Sequence, residues 1–200
     1  MPRLMKVEAA IAALDGGGIV AVPTDTVYGL AAEVGQPLAV ATLFTLKYRP
    51  TFVPIPVMVD SVEQIQFLGV EWPDEAQGLT DAFWPGALTI IVTVPHELSV
   101  MLGGENDTAG FRIPDDDILR RMMAVLGPLA VTSANEHGEK PCYSAREVLE
   151  RFASREELTG AIDGGERSGD VSSVVDLSVT PWRVLREGAV STAELARVLN

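Results

Sequence analysis

Apolar positions Val7, Ala10, Ile11 and Leu14 recur at helical spacing, and the glycines at 16–18 close that helix. Residues 19–22 are a short unbroken apolar run bounded by Gly and Pro, the pattern of a strand covered on both faces. A turn over residues 23–26 leads to a second strand over 27–34. Pro37 opens a helix through Leu38, Ala41, Leu43, Phe44 and Leu46, because the first helical turn does not need the N–H that proline lacks. Residues 54–59 read as a strand with proline at its margin.

Farther along, Ser61 with Gln64, Ser144 with Glu147 and Ser191 with Glu194 have capping-box spacing, each ahead of a helical pattern. A helix over 73–83 precedes a Trp84-Pro85-Gly86 turn and a strand over 87–94. Residues 111–113 and 129–131 read as short strands, separated by a helix whose start carries Asp115, Asp116 and Asp117. Strands over 174–177 and 183–185 complete the prediction. Helices and strands are interleaved without strict alternation. This predicts one α/β domain over residues 1–200, with a twisted, mostly mixed open sheet and helices packed around it.

Composition narrows the partners. Fifteen Lys and Arg face 28 Asp and Glu, a formal charge of −13 over 200 residues, which disfavours a protein that grips nucleic acid through its general surface. Between residues 50 and 111 there is no Lys or Arg, while nine acids occur. No apolar run is long enough for a membrane span, and the N-terminus lacks the apolar core of a signal peptide. The single cysteine, Cys142, suits a reducing compartment, so a cytoplasmic location is expected.

Four polar clusters lie at predicted strand or helix ends, where α/β sheets place ligand groups. The first is the turn from Thr24 through Asp25 and Thr26. The second, Lys47-Tyr48-Arg49-Pro50, pairs a mobile point charge with a planar fork, a combination suited to a polyphosphate or to a helix C-terminus. In the third, around Thr108 and Arg112, a cation sits between Phe111 and Ile113 and needs a carboxylate or phosphate partner if buried. The fourth, Thr132-Ser133-Ala134-Asn135, has the hydroxyls and amide of either an anion-binding loop or an ordinary turn. P-loop, dinucleotide, nucleophile-elbow and His/Cys metal signatures are missing.

In this order the clusters resemble the YrdC-like threonylcarbamoyl-AMP synthase family. The carrying strings are GGIVAVPTDTVYGL at 17–30, KYRP at 47–50, FWPGALT at 83–89, GFRIP at 110–114, TSAN at 132–135, SSVVD at 172–176 and LREG at 185–188. The resemblance implies an open α/β fold with a concave cationic cavity. It also implies an activity: L-threonine, bicarbonate and ATP, with magnesium on the phosphates, are joined into threonylcarbamoyl-AMP with release of pyrophosphate. A separate transferase complex would then carry the threonylcarbamoyl group to tRNA. By motif, Lys47 and Arg49 are the expected catalytic, phosphate-binding cations, and Thr108, Ser133, Asn135 and Arg186 complete the ATP site. Thr26, Arg112 and Ser172 are expected to hold threonine, with Arg112 on its carboxylate. No resident metal site is implied. Three positions depart from the family pattern: Val53 stands where an amide is common, Met58 where an imidazole is, and Ser173 where threonine is commoner. A paralogue acting on another carbamoylated amino acid is therefore a second reading, and a non-catalytic RNA-binding module a third.

Overall fold

The run Ile19–Val22 is a strand with every residue buried, and it lies well inside a broad sheet. The computed structural model describes residues 1–199. Among the described residues the strands are β1 (Arg3–Met5), β2 (Ile19–Val22), β3 (Gly29–Glu33), β4 (Val57–Met58), β5 (Leu88–Thr93), β6 (Thr108–Arg112), β7 (Leu129–Ser133), β8 (Leu158–Ile162), β9 (Ser173–Asp176) and β10 (Arg183–Arg186). They form one mixed sheet in the order β1-β8-β2-β3-β7-β4-β6-β5-β9-β10. The helices are α1 (Val7–Asp15), α2 (Pro37–Lys47), α3 (Val62–Phe67), α4 (Asp74–Phe83), α5 (His96–Met101), α6 (Asp117–Leu126), α7 (Ala145–Arg151) and α8 (Thr192–Leu199).

Both faces of the sheet are used, but unequally. One face is covered along its length by an extensive core that takes Leu43 and Leu46 of α2, Ile65 of α3, Leu79 of α4, Val148 of α7 and Leu195 of α8. On the other face α1 and α6 cover only the β2, β3 and β7 side, through Leu14, Leu119, Met122 and Met123 against Val20, Ala31 and Val131. Beyond them, among the described residues, no helix covers that second face of β6, β5, β9 and β10. A cavity of about 580 Å³ lies there.

Several predicted boundaries shift for local reasons. The second strand begins at Gly29 rather than residue 27, because Thr24 closes the preceding turn: its Oγ1 donates to Val27 O (2.7 Å) and accepts from the amides of Thr26 (3.1 Å) and Val27 (3.2 Å). Of residues 54–59 only Val57–Met58 is a strand, paired parallel with β6 and antiparallel with β7. Strands β1 and β8 and helix α5 have no counterpart in the sequence reading. The Ser144 and Ser191 side chains accept from the amides of Glu147 (3.2 Å) and Glu194 (3.3 Å) as expected, but Ser61 caps nothing. There Gln64 Oε1 instead accepts from the amide of Asp60 (2.9 Å).

The acid that caps α6 is Asp116. Its Oδ1 accepts from Leu119 N (2.9 Å) and its Oδ2 from Arg167 (2.7 Å), tying the helix to the loop after β8. Asp116→Ala is expected to cost about 3 kcal/mol, a lost cap plus a largely buried ion pair, readable as a lower urea midpoint at unchanged slope.

Candidate active site

Alternation along the strands builds the cavity floor. On β5, Thr89 and Ile91 face the cavity while Leu88, Ile90 and Val92 enter the core. On β6, Thr108, Gly110 and Arg112 do the same against Ala109 and Phe111. Gly110 keeps the floor open: a Cβ there would lie 2.9 Å from Thr89 Cγ2 and 3.5 Å from Ile91 Cγ1.

Strand β10 supplies two cations by an irregularity. Residues 183 and 186 of a regular strand point to opposite faces. Here Arg183 pairs with Asp176 and Arg186 with Val174, across a register shift, and both arginines line the cavity. Arg186 is aimed by Ser172, donating from Nε to its carbonyl (2.8 Å) and from Nη2 to its hydroxyl (2.9 Å). Burial and the nearby charge of Arg112 lower the Arg186 pKa. The neighbouring Ser173 hydroxyl accepts from the amides of Gly188 (2.9 Å) and Val190 (3.0 Å), which pins the loop behind Arg186.

Arg112 is 3% exposed. Its partner is a carboxylate of the chain: Nη2 lies 2.5 Å from Asp25 Oδ1, while Nε donates to Gly86 O (2.9 Å) and Nη1 to Thr26 Oγ1 (3.4 Å). A carboxylate contact is thus made within the protein, by Asp25 of the first polar cluster, to which the resemblance assigned no role. Arg112 still borders the cavity, beside Thr26 and Ser172.

Helix α2 ends at Tyr48, whose left-handed backbone (φ 50°, ψ 36°) turns the chain between the two expected phosphate cations. Arg49 lines the cavity, with Nε donating to Val53 O and Nη2 to Pro54 O, both 2.8 Å. The Val53 contact uses the main chain, so the missing amide side chain is irrelevant to it. Lys47 is not among the cavity-lining residues. It is 1% exposed, and its Nζ donates to the carbonyls of Ser133 and Asn135, the latter at 2.5 Å, with Asn135 Oδ1 at 3.5 Å. Two of its three protons are thus committed to the β7 exit. Asn135 in turn donates to Glu136 O (2.7 Å) and Glu139 O (2.9 Å), a closed loop with Ser133 and Asn135 on the cavity wall.

Burial, with Arg49 as a second cause, lowers the Lys47 pKa to about 7 from an ordinary 10.5. In the unfolded chain the amine keeps its ordinary value, so between these limits unfolding takes up a proton and rising pH favours the folded form. Wild type is therefore expected to gain on Lys47→Met by up to about 1.4 kcal/mol per pH unit from pH 7 to 9. Denaturation of both proteins across that range reads this directly, and a constant difference would return Lys47 to an ordinary pKa.

All the expected site residues except Lys47 border this one cavity: Thr26, Arg49, Thr108, Arg112, Ser133, Asn135, Ser172 and Arg186. Arg183 joins them, held on Asp176 at 2.9 and 3.0 Å. The nine acids between residues 50 and 111 lie elsewhere, eight exposed and Asp60 half-buried. Among the described residues no cluster of three or more His, Cys, Asp or Glu could hold a metal ion.

The family model Sua5_yciO_yrdC, described as "Telomere recombination", matches residues 12–188. The chain belongs to this family. A Mycobacterium leprae relative is 38% identical over 200 residues, covering 99% of this chain and 90% of its own length. A Pyrococcus abyssi threonylcarbamoyl-AMP synthase is 36% identical over 197 residues, 98% of this chain and 57% of that protein. The crystal structure of P. abyssi Sua5 complexed with L-threonine superposes with a TM-score of 0.87 at 33% identity, over 100% of this chain and 60% of that one. The mixed sheet with its helices is the family's fold, as the resemblance in the motifs implied.

Proposed function

We propose that this protein makes threonylcarbamoyl-AMP from L-threonine, bicarbonate and ATP, releasing pyrophosphate. The observation that carries the reading is the convergence of Arg49, Arg112 and Arg186 with the hydroxyls of Thr26, Ser133 and Ser172 around one cavity. The relatives named for this activity support it.

The chemistry explains the lining. The amine nitrogen of threonine forms a C–N bond to the carbon of bicarbonate, and water leaves to give a carbamate. A carbamate oxygen then attacks the α-phosphorus of ATP, and the bond to the departing pyrophosphate breaks. Carboxylate, carbamate and triphosphate are all anionic, so the arginines offset their repulsion while the hydroxyls orient them. In this reading Arg49, Arg186, Thr108 and the 133–135 loop take ATP, and Thr26, Arg112 and Ser172 take threonine. Lys47 supports the phosphates from behind the loop, where a triphosphate would favour its charged form. Magnesium would enter with ATP as part of the substrate and offset phosphate charge there. Of the two carboxylates on the cavity lining, Glu139 and Asp176, the second is already taken up by Arg183 and Ser178. The product passes to a separate tRNA-modifying transferase, and the location is cytoplasmic.

Met58 gives substance to the paralogue reading. It is the cross-strand neighbour of Arg112 and lines the cavity with Pro56 and Val131, so an apolar surface adjoins the proposed carboxylate site. Pyrophosphate release measured separately with each of the twenty amino acids decides the substrate. L-Threonine is expected to give the largest bicarbonate-dependent rate, and a larger rate with another amino acid would replace it.

A further inference from the structure

The corner that presents Lys47 and Arg49 and the loop that presents Ser133 and Asn135 come from distant parts of the chain, yet they are tied together three times. Lys47 Nζ reaches the loop carbonyls from inside. The amide of His137 donates to Lys47 O (2.9 Å) along the main chain. The third tie is on the outside. The Arg155 guanidinium lies over the Tyr48 ring, 4.3 Å from its centre, and its Nη2 is 3.4 Å from Glu136 Oε1. One side chain therefore touches both segments.

Tyr48 makes this contact from a conformation that bulky residues seldom adopt and glycine adopts freely. Tyr48 as a residue is also 66% exposed, so core packing does not hold it. What covers it is Arg155, which stands in the turn between α7 and β8. Its amide donates to Phe152 O (2.9 Å), and its side chain is only 20% exposed.

We propose that Arg155 is a positioning residue for the nucleotide, clamping the Tyr48 corner to Glu136 so that Arg49 and the 133–135 loop keep a fixed spacing. The clamp rests on the preceding assignment of these groups to ATP. It adds a residue that touches no substrate.

Arg155→Ala is expected to raise the KM for ATP about fivefold, the combined worth of a cation–aromatic contact and a part-exposed ion pair, with the KM for L-threonine unchanged. The amide of His137 should exchange with solvent faster in this variant. Arg155→Lys, which keeps the charge but not the planar face, should recover part of the ATP affinity. Tyr48→Gly relieves the backbone conformation and removes the ring, so it should match or exceed wild-type melting temperature while weakening ATP as Arg155→Ala does. The double variant should be no weaker than either single one. Arg146→Ala removes an exposed cation of α7 and serves as the control for net charge, with ATP affinity at the wild-type value. Wild-type KM for ATP in both Arg155→Ala and Tyr48→Gly overturns the clamp, as does an equal rise in both substrates' KM. A wild-type protein that binds no ATP overturns the nucleotide assignment itself, and the clamp with it.

Discussion

Arg112→Ala is expected to be the most damaging single substitution in the cavity, for two separable reasons. The first is stability. The guanidinium and the Asp25 carboxylate form a pair whose side chains are 4% and 14% exposed, and truncating one partner leaves a charge with little water to solvate it. Breaking such a pair costs about 3–5 kcal/mol, which at this chain length lowers the melting temperature by roughly 6–20 °C. Gly86 O also loses its donor. The double variant Asp25→Asn/Arg112→Ala should recover part of that loss, because the orphaned charge is gone. The second reason is binding. Measured below the new melting temperature, the KM for L-threonine should rise about 100-fold while the KM for ATP changes little, since a charge-assisted contact to the carboxylate is lost. A parallel rise in both would mean that Arg112 only holds the fold.

The second large effect belongs to Arg49 and Arg186. Each lines the cavity, and each is aimed by carbonyls or a hydroxyl of its own neighbourhood rather than by a carboxylate. Their charges are uncompensated by close acids and free to meet an anion. Burial holds both pKa values below the ordinary guanidinium range, the direction expected of cations placed where desolvation opposes charge. Arg49→Ala or Arg186→Ala should lower kcat/KM for ATP by about 100- to 1000-fold, the usual worth of a charge-stabilising donor, with stability changing by about 1 kcal/mol. Steady-state kinetics with ATP as the varied substrate checks this, and a change confined to the KM for L-threonine would move the residue to the other half of the cavity.

Much of this site is legible in the sequence. Motif order brings Arg49, Arg112, Ser133, Asn135, Ser172 and Arg186 to notice, and all border one cavity: Arg49 follows the C-terminal end of α2, and the others sit at a strand end or on the floor-facing side of a strand. What escaped notice depends on long-range geometry. The Asp25 partner of Arg112 is 87 residues away along the chain. Arg183 shares a face with Arg186 only through a register shift, which hydrophobic alternation cannot reveal. Lys47 reads as a cavity cation in its motif, but the left-handed turn at Tyr48 sends it inward under the β7 exit while Arg49 faces the cavity. Leu158–Ile162 contains Thr and Gly and reads as a weak strand, yet pairing with both β1 and β2 makes β8 an interior strand next to the sheet edge. Strand β4 is shorter than the apolar run suggests: Pro54 and Pro56 have no N–H to donate, and the ladder closes on either side of Val57–Met58 with Val131 N to Pro56 O and Val59 N to Arg112 O, both 3.0 Å.

In the proposed reaction bicarbonate, L-threonine and ATP are joined on these residues. The most direct measurement is incubation of the purified protein with MgATP, L-threonine and carbon-13 bicarbonate, followed by mass spectrometry of the nucleotide products. The account predicts an adenylate whose mass includes threonine and one labelled carbon, formed in step with pyrophosphate and lost in Arg49→Ala. Pyrophosphate release without a labelled adenylate, or a nucleotide pool unchanged from a protein-free control, would contradict it.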